Sequence, residues 1–337
     1  MTYSSGGLIQ ATDYNGFVGP TASGGTAGAN LNDIWATGST DKGWGQTAVS
    51  TVSATNTVTA TQWASLVNNL ATAGNQTSST LTARSAPSAG QTINILDALN
   101  TDLTTVTTNR GNAAGAGTEY GVFTGTTSKT TATGSGQAAW TITFTHTVTF
   151  PSADQARYFW NAGGRVRLQY GKSSTGTDAD PDWNNLAGQC GSIYISGRVN
   201  SAAQTIAGVS YTGTTRIGGT GGTQTTLATT TGWYQLTTSP ATIFQLNDAV
   251  APYSTNFIRT QATATSSTVL TLVTVWSDDG TSGAGTTANI SGGTAVASPA
   301  TAIGAATAPT TLVTYIPPAS TYLTNSWGTP SIAASVA

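Results

Sequence analysis

Eleven residues in the middle of the chain alternate without a break. From Trp140 to Phe150 the sequence reads WTITFTHTVTF, with Trp140, Ile142, Phe144, His146, Val148 and Phe150 on one register and five threonines, Thr141 to Thr149, on the other. A repeat of two is the side-chain period of a β-strand, whereas a helix would scatter these apolar residues around its axis. The threonines on the second register are β-branched and suit the pleat. A strand this long with one apolar face demands neighbouring strands and something to cover it.

The neighbours are legible downstream. RVRLQYG sets Val166, Leu168 and Tyr170 against Arg165, Arg167 and Gln169, and shorter runs at 192–196, 232–237, 242–246 and 254–260 read as strands. In 269–276, Leu270, Leu272 and Trp276 alternate with Val269, Val273 and Val275, so both faces are apolar and a central strand is predicted. Between the first two strands, Ser152 and Gln155 form a capping box ahead of Ala156, Tyr158, Phe159 and Trp160, with Gly163 as the stop. These features predict a mainly β fold: a β-sandwich or jelly-roll-like domain with one embedded helix, spanning residues 113–300.

The flanks read differently. Residues 1–60 are rich in Gly, Thr, Ala and Asn with little periodicity, which predicts an extended N-terminal arm. Residues 61–112 predict two helices. The first has Thr61 as N-cap, Trp63, Leu66, Val67 and Leu70 on one face, and Gly74 just past its end. The second, over 92–110, keeps Leu96, Leu99, Leu103 and Val106 on a narrow seam, with Gly111 as its stop. Such a seam calls for a partner helix, so Trp63, Leu66, Leu70, Leu96, Leu99, Leu103 and Val106 are the candidate oligomerisation and attachment residues. Residues 301–337 carry Pro317, Pro318 and Pro330 and predict an extended C-terminal arm outside any sheet interior.

Composition narrows the function. Lys and Arg number 11 and Asp and Glu 13, so 7% of 337 residues are charged and the net charge is -2. That argues against a polyanion partner such as nucleic acid, and favours association with other protein surfaces. No run of 18 apolar residues suggests a membrane span, and the N-terminus has neither the basic nor the apolar region of a secretory signal. Cys190 is the single cysteine, so no disulfide framework or multi-cysteine metal site is expected.

The candidate chemistry is thin. His146 is the one histidine and lies on the apolar register, where a core or interface role is expected rather than general base catalysis. No Gly-x-Ser-x-Gly nucleophile elbow occurs, and Glu119 is the one glutamate, which leaves no diagnostic carboxylate pair for glycoside cleavage. Asp178, Asp180 and Asp182 begin like a calcium loop but meet Trp183 where a glycine belongs and Gln189 where a bidentate Glu belongs. They stay as a weak surface Ca²⁺ candidate against a solvated acidic turn. The IGGTGGT run at 217–223 lacks the P-loop lysine and the dinucleotide spacing, and Arg157, Arg165 and Arg167 are expected to pair with the few acids available, within the protein or between subunits.

Several stretches resemble a known class. ATDYNGFV, LNDIWATGSTDKGWGQ and VTATQWASLVNNL near the start, TVTFPSADQARYFWNAGGRVRLQY in the middle, and GWYQLTTSPATIFQL with STYLTNSWGTP near the end are similar to virion structural proteins of contractile-tailed cyanophages. The resemblance implies a non-enzymatic tail, fibre or neck component, assembled in the host cytoplasm as multiple copies beside other virion proteins. It carries no catalytic residue, cofactor or metal. A receptor- or glycan-binding fibre module and a capsid decoration protein are the alternatives it leaves open.

Overall fold

The computed structural model describes residues 10–19, 29–91, 96–115, 125–128, 140–172, 179–197, 203–249, 254–278 and 309–337. The N-terminal elements are helices α1 (Ala11–Val18), α2 (Leu31–Trp35), α3 (Ala60–Gln76) and α4 (Leu96–Asn109). Strands β1 (Gly125–Ser128) and β2 (Trp140–Thr149), helix α5 (Ala153–Asn161), β3 (Arg165–Gly171), helix α6 (Ala179–Cys190) and β4 (Ser192–Ile195) follow. The chain then forms β5 (Gln204–Ile206), β6 (Val209–Tyr211), β7 (Thr214–Ile217), β8 (Thr223–Leu227), β9 (Ala241–Asn247), β10 (Phe257–Ser266), β11 (Val269–Asp278), β12 (Thr310–Ile316) and β13 (Ser331–Val336).

The strands form two antiparallel sheets and a hairpin. The five-stranded sheet runs β1-β12-β3-β4-β7, the six-stranded sheet β13-β2-β11-β10-β9-β8, and β5 pairs with β6. The alternating segment becomes β2, between β13 and β11, with its apolar register turned inward as its period requires. β11 is interior to the sheet, as its two-sided apolarity predicts. The inner faces of the two sheets meet through hydroxyls as well as apolar groups. Tyr170 Oη lies 2.8 Å from Thr260 Oγ1, which is 2.8 Å from Thr274 Oγ1, and the Trp276 indole N–H donates to Thr311 Oγ1 at 3.2 Å. The Tyr170 and Phe244 rings stack between the sheets at 6.0 Å.

Both predicted arms are corrected by the structure. In the described part of 1–60, Tyr14, Phe17, Val18, Leu31, Ile34, Trp35, Trp44, Val49 and Val52 are buried in the main core. Their spacing is irregular because they sit on two short helices and on unpaired chain, so no single period reveals them. The turn before Gln46 brings Gly45 against the Tyr158 ring, where an added Cβ would collide, with φ at +67°. At the other end, β12 lies between β1 and β3 in a sheet interior, and β13 is an edge strand. Pro317 and Pro318 follow β12 and Pro330 precedes β13, so the prolines stop strands rather than forbid them. The β region therefore does not close at residue 300.

The helix pair is corrected as well. Thr59, not Thr61, caps α3, in a reciprocal box with Gln62, and the helix runs past Gly74 to Gln76. Trp63, Leu66, Leu70, Leu99, Leu103 and Val106 are each at most 1% exposed within this one chain. The narrow seam of α4 finds its partner in α3 and α1, and the edge of the Tyr14 ring meets Trp63 at 5.3 Å. These side chains are committed to the core, which leaves none of them to bind a second subunit. Leu96 opens α4, and its side chain lies outside the described residues.

Two helices, not one, are embedded among the strands. α5 starts at the predicted cap, with Ser152 Oγ accepting from the Gln155 N–H, but the box is not reciprocal: the Gln155 carboxamide oxygen takes the Ser152 hydroxyl rather than its backbone N–H. α6 occupies the segment expected to be an acidic turn, and its buried Trp183, Leu186, Ala187 and Cys190 fall at i, i+3, i+4 and i+7. Pro181 is tolerated because it stands in the first turn, where its missing N–H has no helical partner to lose. The run at 232–237 is not a strand. It is a 3₁₀ turn at Trp233–Gln235 whose Trp233 ring stacks on Trp160 at 5.5 Å.

Candidate functional site

Residues 46–52 form a ribbon outside any strand, and burial recurs along it at Gln46, Val49 and Val52. Such a ribbon bonds none of its own backbone, so other groups must satisfy it. Asparagine side chains do so reciprocally. Asn32 Oδ1 accepts the Val49 N–H at 2.9 Å while its Nδ2 donates to the Val49 carbonyl at 2.8 Å. Asn15 grips Val52 in the same way, at 2.8 Å on both sides. Gln46 extends the pattern to the far end of the chain, accepting from the Thr324 N–H at 2.9 Å and donating to its carbonyl at 3.0 Å. A fourth amide, Asn161 at the end of α5, donates to the carbonyls of Thr40 and Gly43 and accepts from Tyr234 Oη at 2.6 Å.

Between this ribbon and α3 lies a groove of about 470 Å³. Thr47, Ala48 and Ser50 form one wall, and Thr61, Gln62, Ser65 and Asn69 of α3 form the other. The aromatic groups beneath are already engaged: Tyr14 Oη bonds the Ser50 and Gln62 carbonyls, and the Trp35 indole N–H donates to the Thr47 carbonyl at 2.9 Å. Burial pushes the Tyr14 phenol up to about 12, so it stays protonated at neutral pH. The groove thus presents neutral amides and hydroxyls, with no acid, imidazole or thiol among its lining residues. That chemistry suits hydrogen bonding to an uncharged polar ligand.

Of the predicted metal ligands, Asp178 and the side chain of Asp180 lie outside the described residues, and Asp182 stands in the first turn of α6. Burial, then the Asp248 carboxylate, raises the Asp182 pKa above the usual carboxylate range. Among the described residues no three His, Cys, Asp or Glu side chains are grouped so as to hold a metal ion. No described helix is long and apolar enough to cross a membrane.

His146 is fully buried on the inner register of β2, opposite Leu272 on β11 and Ala334 on β13, and does not line the ribbon groove. The three arginines separate. Arg157 donates to the Thr37 carbonyl and pairs with Asp154 at 2.8 Å, whereas Arg165 donates to Tyr211 Oη at 2.6 Å and lies over that ring. Arg167 points from β3 with Arg165, at alternate positions of one strand. Ion pairs hold the helical part: Lys42 with Asp33 at 2.7 Å, Arg110 with Asp41 at 2.8 Å, and the buried Arg84 with Asp102. Asp102 also accepts from the Thr82 N–H, so this pair pins the segment after α3 onto α4. Burial raises the Cys190 thiol well above its ordinary range, which leaves it inert as a nucleophile.

No protein-family model, curated protein or solved structure matches the chain.

Proposed function

We propose that this chain is a non-enzymatic structural subunit of a tailed-phage virion, present in multiple copies and held by contacts with itself and with other virion proteins. One observation carries the reading: buried and half-buried carboxamides and a buried ion pair are used to bind the chain to itself. Asn15, Asn32, Gln46, Asn161 and the Arg84–Asp102 pair each join segments distant in sequence. The product is a cross-tied body with little charge, suited to close packing against copies that carry the same weak field. The two sheets, linked through Tyr170–Thr260 and Trp276–Thr311, are read as the layers of a jelly-roll-like sandwich. The buried thiol of Cys190 is compatible with assembly in the host cytoplasm.

Quantitative mass spectrometry of purified particles should find the chain at a fixed copy number, and cryo-EM of those particles should locate it on tail, fibre, neck or capsid. Recovery of the chain from infected-cell lysate but never from particles would remove the virion role. A glycan-binding fibre module is the second reading, favoured by the neutral groove beside α3. Binding on a glycan array that is lost in Gln62→Ala and Asn69→Ala would support it.

A further inference from the structure

We propose that the outward face of the six-stranded sheet is a self-association surface, and that its occupant is the same face of a second copy of this chain. The proposal rests on the multi-copy reading above and gives that reading a definite contact. The register assembles the face. Thr145 on β2 lies opposite Val273 on β11 and Ser335 on β13, and Val273 lies opposite Gln261 on β10. One step along, Val275 lies between Thr143 and Arg259. Valines therefore occupy the centre, with threonine, serine and glutamine around them, which is the apolar-centre, polar-rim plan of a protein interface.

Charge and area argue for the second copy. A sheet face meant for water ordinarily carries Lys and Glu, which also deter sheet-to-sheet pairing. Here the charged side chain at the described outward positions of β2, β11, β10, β9 and β13 is Arg259, and its guanidinium lies over the Phe257 ring at 5.2 Å. The ion pairs gather instead on the helical side, at Lys42, Arg110 and Arg157. Five strands about 4.8 Å apart and about 30 Å long present roughly 600 Å² per copy. Two such faces bury about 1,200 Å², the lower bound for a specific interface. Stacked at the usual spacing of about 10 Å, the two valine centres would exclude water and the threonines would pair hydroxyls across the contact. Thr265 and Thr271 already make that pairing within one sheet, at 2.9 Å.

Sedimentation velocity of the full chain tests this. The wild type is expected to pass from monomer to dimer as concentration rises, with a midpoint that added salt does not weaken, because no ion pair holds the contact. Thr145→Lys and Val273→Lys should each weaken dimerisation by about tenfold or more, since the symmetry places each new charge in the contact twice. Val273→Thr, which keeps β-branching, guards against misfolding as the explanation and should weaken it severalfold. Thr104→Lys on the exposed face of α4 should change nothing. A wild type that stays monomeric at every concentration would overturn the proposal, as would a natively folded Thr145→Lys variant that dimerises like the wild type. A chain that is monomeric alone yet present on particles would remove this contact and leave the virion role standing. A chain that dimerises through this face yet is absent from particles would do the reverse.

Discussion

Asn32 shows how a residue with no catalytic look becomes indispensable. Its carboxamide holds both polar groups of Val49 in a site 1% exposed, so losing it strands a buried donor and a buried acceptor. Asn32→Leu should destabilise the protein by about 2–5 kcal/mol in urea unfolding, the cost of two unsatisfied groups. Asn32→Asp keeps the acceptor but loses the donor and buries a carboxylate, whose pKa rises in the folded state. Its deficit against wild type should be full at neutral pH and shrink as pH falls through that raised value, since a protonated carboxyl can donate to the Val49 carbonyl. Lys172 gives the opposite profile. Burial lowers it from 10.5 to about 8, so between those values the unfolded chain binds more protons and stability rises with pH. Lys172→Met should remove that slope, seen as a difference between the two melting profiles across pH 8 to 10.5. None of these amide contacts is legible in the sequence, because the partner of each asparagine is a backbone group 17 or 37 residues away, and backbone carries no signature.

Elements were legible where one period persisted. The eleven-residue alternation yields β2 and its facing, and the Ser152–Gln155 box yields the start of α5. α6 carries the helical spacing of Trp183, Leu186, Ala187 and Cys190, but the acidic, proline-containing start draws attention to a turn. The stripe on α4 calls for a helix against it, and the structure supplies that helix from the same chain rather than from another subunit. Sequence spacing specifies that a face must be covered, not by whom. Leu103→Ala should therefore lower stability by about 2–5 kcal/mol without changing the oligomeric state, measured by thermal unfolding beside sedimentation. A seam that joined subunits would show the reverse pattern.

At the scale of the whole molecule, residues 44–46 and 323–327 are fastened to each other. Thr324 is held by Gln46, Ser326 donates to the Trp44 carbonyl at 2.5 Å, and Leu323 and Trp327 enter the same core as Trp44. Removing residues 323–337 takes away β13, the core side chains Leu323, Trp327 and Ile332, and the Gln46 clasp together. Such a truncation should lose cooperative unfolding altogether rather than a few degrees of melting temperature, as read by near-ultraviolet circular dichroism and calorimetry. This closure was illegible because prolines near the C-terminus resemble the punctuation of a free tail. Pairing of β12 with β3 links residues more than a hundred positions apart, a distance over which no local pattern reports.

The place of β12 between β1 and β3 also bears on how the protein is made. While residues before 310 emerge from a ribosome, the five-stranded sheet has a gap in its middle, and the strands on either side have no partner across it. The sheet can be completed only when 310–316 arrive, and the edge of β2 is covered only when 331–336 do. Completion of both sheets thus depends on pairings across long stretches of sequence, which form slowly. A chain cut before residue 310 cannot fill the place between β1 and β3, so the fold itself distinguishes it from one that carries β12 and β13.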